Sequence, residues 1–237
     1  MTGDRAVGET PAGGGGPRVP IVPDGPDTRR EAVALLERGG VVAIPTDTVY
    51  GIAADLRLPD SIERLFAAKR RQPEKAVALL LAEPAQAAVL GVVNDAARVL
   101  GDRFWPGGLT LVLPARPDAA LPPILAAGRP TVGVRVPDHP CPRELARTLG
   151  PLPTTSANLS GEPDARDAQE IARRLGDALA LVIDGGPIRG GPASSVVDCT
   201  GDRPRVLREG AIPPAELAAV LDTMGIAHDL LVPPGSG

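Results

Sequence analysis

Short runs of apolar residues, each bounded by glycine, proline or polar residues, recur along this chain and constrain its fold most strongly. A bounded run of four to eight such residues is typical of a buried strand. Helical patterns lie between these runs, and the two kinds of segment alternate irregularly. The pattern therefore predicts an α/β (α+β) fold in which a mixed, twisted β-sheet is flanked by helices. The predicted strands cover residues 41–45, 77–81, 109–114, 131–137, 180–184, 194–198 and 205–209.

Capping residues predict where several helices begin. Thr28 followed by Glu31 forms a capping-box pattern before the first helical segment. Asp60 precedes a second helix, which ends at the basic segment AKRRQPEK (68–75). Asp167 precedes a third predicted helix. A further helix is predicted near residues 142–149.

The ends of the chain differ in composition from its middle. Residues 1–26 are rich in glycine and proline, which predicts a flexible arm. Residues 225–237 are expected to fray. Since no linker or repeat interrupts the remainder, residues 27–224 are predicted to form one domain.

Charge and composition argue against several classes of function. The net charge is −4 and only 2% of residues are aromatic, so a basic, base-stacking surface for nucleic acid is not expected, and any RNA contact would have to be local. The sequence contains no run of 18 apolar residues, so no membrane-spanning helix is predicted. Cys141 and Cys199 are far apart in sequence, which indicates reduced thiols and a cytoplasmic location. The two histidines lie in no ligand-spaced cluster, so no metal site made of protein side chains is expected.

The basic segment contains the only two lysines of the chain, Lys69 and Lys75, whereas the other 23 basic residues are arginines. A lysine kept against this background favours a site that requires a compact, flexible ammonium group. Lys69 also ends a predicted helix, where the helix dipole favours any cation. The segment therefore indicates either an anion site or a structural helix end.

Three further polar segments follow predicted strands or helices: PTDTVYG (45–51), TTSANLSG (154–161) and GGPASSVVD (190–198). Hydroxyls, amide dipoles and cations together suit phosphates and carboxylates. The chain contains neither a P-loop motif nor a GxSxG motif. A site that acts by positioning and charge neutralisation favours phosphoryl or nucleotidyl transfer.

In this order, the motifs resemble the YrdC/TsaC family of threonylcarbamoyl-AMP synthases, in a short form predicted to have a single domain. The resemblance covers residues 28–213. It is carried by GGVVAIPTDTVYGIAAD (39–55), K-x-R-x-x-x-K in AKRRQPEK, FWPGGLTLVLPA (104–115), TVGVRVPDHP (131–140), TTSANLSG, SSVVD (194–198) and VLREGAI (206–212).

The resemblance implies an ATP-dependent nucleotidyltransferase with a YrdC-like fold. L-Threonine and bicarbonate would form a carbamate whose oxygen attacks the α-phosphorus of ATP, giving threonylcarbamoyl-AMP and pyrophosphate. Mg²⁺ would share the neutralisation of the triphosphate. A downstream tRNA threonylcarbamoyl-transferase complex would then modify adenosine next to the anticodon.

The resemblance also implies the roles of individual residues. Lys69 and Arg71 would be catalytic, whereas Arg70 between them is expected to face solvent. The residues expected to bind ATP are Lys69, Arg71, Lys75, Thr131, Asn158 and Arg208. The residues expected to bind threonine are Thr46, Arg135, Ser156 and Ser194.

Two departures from the family pattern and two alternative functions accompany this interpretation. Gln72 replaces a usual proline, with Pro73 one residue later. Many longer members of the family have a histidine shortly after the basic segment, whereas VALLLAEP (77–84) contains none. One alternative is a domain that adenylates carbamate for a different carbamoyl transfer. The other is a non-catalytic RNA-binding module that uses the basic segment.

Overall fold

The computed structural model describes residues 19–70, 76–188 and 191–232. Its ten strands are β1 (Ile21–Pro23), β2 (Val42–Ile44), β3 (Gly51–Ala53), β4 (Ala78–Leu80), β5 (Leu109–Pro114), β6 (Thr131–Arg135), β7 (Leu152–Ser156), β8 (Leu181–Asp184), β9 (Ser195–Asp198) and β10 (Arg205–Arg208). Its seven α-helices are α1 (Pro26–Glu37), α2 (Pro59–Ala68), α3 (Ala87–Leu90), α4 (Asp95–Phe104), α5 (Pro140–Leu149), α6 (Ala168–Leu175) and α7 (Pro214–Thr223).

All ten strands form one sheet in the order β1-β8-β2-β3-β7-β4-β6-β5-β9-β10. The pairs β1–β8, β2–β8, β4–β6 and β5–β9 are parallel, and the remaining five are antiparallel. The mixed sheet flanked by helices that the sequence predicts is therefore confirmed.

The two faces of the sheet are covered unequally. Buried residues of α2, α4, α6 and α7 form one large core cluster with one face, to which Leu79 and Val134 contribute. Buried residues of α1 and α5 form a smaller cluster on the other face. Alternate residues of a strand point to opposite faces, so Ala78 and Gly133 lie on the second face. Much of that face lies beyond α1 and α5, and there it forms the floor of a cavity.

Ordered structure extends beyond the domain boundaries that the sequence predicts. Within the predicted arm, β1 pairs with β8, from Ile21 opposite Val182 to Pro23 opposite Asp184. Within the predicted C-terminal tail, Leu230 is buried. Apolar contacts thus hold both segments although their composition is typical of flexible ends.

The first helix does not begin at the predicted capping box. Its N-cap is Gly25, Pro26 occupies the first turn, and no side chain caps it. Thr28 is buried inside the helix, where its hydroxyl donates to the carbonyl oxygen of Pro23 at 2.8 Å. A proline is well suited to the first helical position, so the helix starts two residues before the predicted cap. By contrast, Asp167 caps α6 as predicted, accepting from the Glu170 amide at 2.7 Å.

In the described ranges, no helix is long and apolar enough to span a membrane.

Candidate active site

A cavity of about 340 Å³ lies over the uncovered part of the sheet. Small or polar residues form its floor because larger ones would fill it. They come from successive strands and include Gly51 of β3, Thr154 of β7, Ala78 of β4, Gly133 of β6 and Thr110 of β5. The cavity also brings together six of the predicted site residues: Thr46, Thr131, Arg135, Ser156, Ser194 and Arg208.

The hydroxyl of Ser194, just before β9, is held by a threonine and an arginine from neighbouring strands. Its Oγ lies 2.9 Å from Thr110 Oγ1 and accepts from Arg208 Nη2 at 3.1 Å. The Arg208 guanidinium also donates to the Ser194 carbonyl oxygen, from Nη2 at 2.7 Å and from Nε at 3.1 Å. This hydrogen bonding fixes the Ser194 side chain at the cavity wall.

The backbone of the last strand explains why Arg208 can reach Ser194. The pairing of β9 with β10 shifts register between Val206 and Arg208, and such irregularities re-aim side chains near binding sites. Gly210 then passes so close to Ala193 and Ser194 that a Cβ atom there would overlap their backbone. Partial burial lowers the pKa of Arg208, although a guanidinium remains charged in proteins.

Arg135, at the end of β6, connects two loops that border the cavity. Its Nη2 donates to Asp47 Oδ1 at 2.6 Å and its Nη1 to Thr48 Oγ1 at 2.9 Å. Its Nε donates to the carbonyl oxygen of Gly107 at 2.9 Å. Burial lowers the pKa of the Arg135 guanidinium, and the Asp47 carboxylate opposes this effect.

Thr46 and Thr131 line the cavity from different directions. The Thr46 hydroxyl donates to the carbonyl oxygen of Val49 at 2.6 Å and accepts from the Thr48 amide at 3.2 Å. This local turn holds the start of PTDTVYG in place. Thr131 opens β6, two positions before Gly133 on the same face.

Lys69 is buried, with 2% of its surface exposed. It caps the C-terminus of α2, and its Nζ donates to Asn158 Oδ1 at 2.8 Å, to Ser156 Oγ at 3.0 Å and to Thr155 Oγ1 at 3.3 Å. The Ser156 carbonyl oxygen is a further acceptor. The ammonium group thus lies at the end of β7, bonded to the turn that the sequence singles out.

Lys69 and Asn158 are not among the residues that line the cavity, whereas Ser156 contacts both the cavity and the lysine. Helix α2 packs on the face of the sheet opposite the cavity, so Lys69 reaches the end of β7 from that opposite face. Arg71 and Lys75 lie outside the described residues. Arg70 is exposed, as expected.

Tyr50 is a structural feature of this site that the sequence pattern does not reveal. The side chain is buried, and its hydroxyl donates to the Gly186 carbonyl oxygen at 2.7 Å and accepts from the Gly185 amide at 3.0 Å. Burial raises the pKa of Tyr50 to about 12, with Asp184 acting in the same direction. Tyr50 therefore ties β3 to the loop that leads towards Ser194.

Thr110, Asp47 and Asp164 are other cavity or loop residues absent from the predicted set. Asp164 is the single carboxylate among the described cavity-lining residues, and it lies within electrostatic range of Arg208. Only their neighbours in space distinguish these residues, because a threonine inside a strand or an aspartate in a loop is common in any sequence.

The cysteines and His139 occupy structural positions. Cys141 and Cys199 are both buried, and burial raises the pKa of Cys199 to about 12 and that of Cys141 further. Such thiols are poor nucleophiles. His139 caps α5, where its Nδ1 accepts from the Cys141 amide at 3.1 Å, and burial lowers its pKa. Across the described residues, no three His, Cys, Asp or Glu side chains group as a metal site would require.

A larger, more open groove of about 1310 Å³ lies between α2 and the C-terminus of α6. None of the predicted site residues lines it; Arg70 contributes to its wall. Because six of the predicted site residues line the smaller cavity and none lines this groove, the smaller cavity is the candidate site.

Comparison with known proteins places this chain among named relatives. It is 41% identical over 202 residues to "Threonylcarbamoyl-AMP synthase" of Bacillus subtilis, covering 84% of this chain and 58% of the relative. It is 39% identical over 193 residues to "Putative threonylcarbamoyl-AMP synthase" of Mycobacterium tuberculosis, covering 80% of this chain and 87% of the relative. The chain thus spans somewhat more than half of the first relative and most of the second.

The fold agrees with a solved structure described as "Crystal structure of P. abyssi Sua5 complexed with L-threonine". The TM-score is 0.81 at 33% identity, covering 89% of this chain and 62% of that one. The Sua5_yciO_yrdC family, described as telomere recombination, matches residues 34–210. The chain therefore belongs to the Sua5/YciO/YrdC family.

Proposed function

We propose that this protein is an L-threonylcarbamoyladenylate synthase, a nucleotidyltransferase that makes threonylcarbamoyl-AMP and pyrophosphate from L-threonine, bicarbonate and ATP. The observation that carries the proposal is the convergence of Thr46, Arg135, Ser194 and Arg208 on one cavity. The names of the Bacillus and Mycobacterium relatives support it, as does the L-threonine bound to the Pyrococcus protein.

The cavity suits threonine because its walls provide cations for the carboxylate and hydroxyls for the polar side chain. Arg135 has five N–H donors, and each of its three nitrogens makes one described hydrogen bond. The donors left over suit the substrate carboxylate. The hydroxyls of Thr46, Ser156 and Ser194 would orient the amino acid so that its carbamate oxygen faces ATP.

The cations would neutralise the triphosphate. In the reaction, a bond forms between the carbamate oxygen and the α-phosphorus, the bond from that phosphorus to the bridging oxygen breaks, and pyrophosphate leaves. Thr131, Asn158, Arg208 and the segment with Lys69, Arg71 and Lys75 would bind ATP. Positive charge near the leaving oxygens stabilises the transition state more than the ground state.

Lys69 would act at the end of β7. Its hydrogen bonds to Ser156 and Asn158 hold the ammonium beside the turn that the phosphates would approach. Phosphate oxygens are stronger acceptors than the neutral oxygens that now surround it. Mg²⁺ would be held mainly by the phosphates, because no metal-binding group of His, Cys, Asp or Glu side chains lies among the described residues. The ion would help to neutralise the phosphate charge.

Downstream, we propose that a tRNA threonylcarbamoyl-transferase complex consumes the product in the cytoplasm, in threonylcarbamoyladenosine biosynthesis. The mixed anhydride of threonylcarbamoyl-AMP is an activated acyl donor, so its natural successor is an acyl transfer to an amine.

Pyrophosphate release with purified protein, L-threonine, bicarbonate, ATP and Mg²⁺ tests the proposal. The expected result is release that depends on both threonine and bicarbonate, with threonylcarbamoyl-AMP detected by mass spectrometry. Release that depends on carbamoyl phosphate would instead favour a different carbamoyl transfer. RNA binding without any pyrophosphate release would favour the non-catalytic module.

A further inference from the structure

The contact between Asp47 and Arg135 spans a wide part of the sheet. Asp47 lies in the loop between β2 and β3, and Arg135 ends β6. Strands β7 and β4 lie between β3 and β6, which in a flat sheet would separate them by about 14 Å. The 2.6 Å bond between the two side chains therefore joins a loop and a strand that are not neighbours in the sheet.

The pair is shielded from water. The side chain of Arg135 is 7% exposed and that of Asp47 is 16% exposed. Removal of one partner from such a pair leaves the other charge uncompensated in a poorly solvated place. Without Asp47, the guanidinium would lose its charged partner and keep only the hydrogen bonds to Gly107 and Thr48, so the direction of its Nη2 donors would be less well fixed.

The same loop also links Thr46 to Arg135 through Thr48. The Thr46 hydroxyl accepts from the Thr48 amide, and the Thr48 hydroxyl accepts from Arg135 Nη1. Asp47 lies between these two threonines and bonds the same guanidinium. A hydroxyl and a cation from distant strands are thereby kept at a constant separation.

The geometry points to Asp47 as a positioning residue that sets the affinity for the carboxylate of the amino-acid substrate by orienting Arg135 relative to Thr46. The inference rests on the proposed function, since the substrate is the threonine of that reaction. Asp47 itself does not contact the reacting atoms. Its two carboxylate oxygens leave one free to accept from the loop backbone or from water while the other holds Arg135.

Replacement of Asp47 should weaken threonine binding and leave the rate of the chemical step nearly unchanged. The substrate carboxylate takes no part in bond formation, so its contacts are equally strong in the ground state and the transition state. Loss of such contacts raises KM and leaves kcat nearly unchanged. If the role of Asp47 were merely structural, its replacement would lower the amount of folded protein and change KM for threonine and KM for ATP to the same extent.

The test compares Asp47→Ala and Asp47→Asn with the matched control Asp138→Ala, an exposed aspartate without a side-chain hydrogen bond or ion pair in the described part of the chain. For Asp47→Ala we expect KM for threonine to rise about tenfold or more, with kcat and KM for ATP changed by less than about threefold. Asp47→Asn keeps the shape and one acceptor oxygen, so its rise should be smaller. Asp138→Ala should match the wild type.

Calorimetric titration with L-threonine alone, without ATP, provides a second readout, and the dissociation constant should rise in parallel with KM. A folded Asp47→Ala protein that binds threonine like the wild type would overturn the inference. If Asp47→Ala does not fold, Asp47→Asn decides by the same criterion. Failure of the proposed function would look different, because the wild type itself would then release no pyrophosphate.

Discussion

The two sides of the candidate site are built differently. On one side, Arg135, Ser194 and Arg208 line an open cavity. Ser194 is held by hydrogen bonds from neighbouring strands, and Arg135 is held by the loop between β2 and β3. On the other, the Lys69 ammonium is buried beneath the turn at residues 155–158 and comes from a helix on the opposite face of the sheet. In the proposed function, the first side would receive the amino acid, whereas on the second side phosphate oxygens would replace described hydrogen-bond partners of Lys69.

This difference implies different kinetic roles. Contacts in the open cavity should govern KM for threonine, because they exist before the reaction begins. The charge of Lys69 should govern kcat, because it is most valuable when negative charge develops on the leaving pyrophosphate.

Lys69→Met should have the largest effect. The methionine keeps the apolar stem but removes the charge, so we expect kcat to fall by about 100-fold or more in pyrophosphate-release assays. Thermal unfolding should also occur at lower temperature, since the Asn158 and Ser156 oxygens lose their buried donor.

Arg70→Ala is the matched control for Lys69, because Arg70 is adjacent and exposed, and it should retain activity within about twofold. Arg71→Ala should resemble the Lys69 variant if the family's basic segment acts as a unit. Near-normal kcat for Lys69→Met would show that Lys69 only caps α2.

Arg208→Ala should have the next largest effect. The substitution removes three hydrogen bonds that hold Ser194, so kcat/KM should fall by about 10- to 100-fold. Arg208→Lys should restore little, since a single ammonium cannot reproduce the fork. Arg205→Ala, which alters an exposed arginine of the same strand, serves as the control and should leave kcat/KM unchanged.

Thr110→Val should have a smaller effect on the open side. The replacement has the same shape but loses the hydroxyl 2.9 Å from Ser194 Oγ, so KM for threonine should rise by about two- to tenfold while kcat is retained. Thr148→Val, at an exposed position of α5, is the comparison. Equal KM values for the two variants would contradict a role for Thr110 in orienting Ser194.

Tyr50→Phe should change catalysis least, and its main effect is on stability. The folded pKa of about 12 lies above the ordinary value of 10.0, so the protonated phenol is favoured by folding. The stability that Tyr50 contributes is present below pH 10 and is lost as pH rises towards 12. The difference in unfolding free energy between wild type and Tyr50→Phe should therefore narrow across that range.

The chain contains a single tyrosine, which makes the pKa directly measurable. Ultraviolet absorbance of the phenolate should titrate near pH 12 in folded protein and near pH 10 in denaturant. A folded-state midpoint near 10 would mean that the phenol is not buried, because burial is the main cause of the raised pKa.

Strands were the most predictable part of the fold. LTLVLP forms β5 over residues 109–114 as predicted. A run of six apolar or β-branched residues between helix-breaking residues has few alternatives to a buried strand. The strands β1 and β3 were missed because β1 lies in a segment rich in proline and glycine, and β3 begins at the glycine that ends the polar segment PTDTVYG. The segment TTSANLSG was interpreted as a loop, yet its first three residues complete β7, where pairing with β3 and β4 outweighs their turn propensity.

The site was predictable only where motifs resemble a known family. Residues such as Ser194 and Arg208 could be named, but their mutual hydrogen bonds depend on a register shift that no local pattern signals. Thr110 could not be named because a threonine inside a strand reads as one more β-branched residue. The burial of Lys69 follows from the packing of α2 against β7, a contact between segments 86 residues apart.

The edges of the sheet bear on whether a further strand could be added to it. A ten-stranded open sheet has two edges, β1 and β10, and exposed edges can pair with another chain. At one edge, β1 has three residues and ends in a proline. At the other, β10 is irregular and has arginines at both ends. The irregularity that aims Arg208 at Ser194 therefore also makes that edge a poor template for an additional strand.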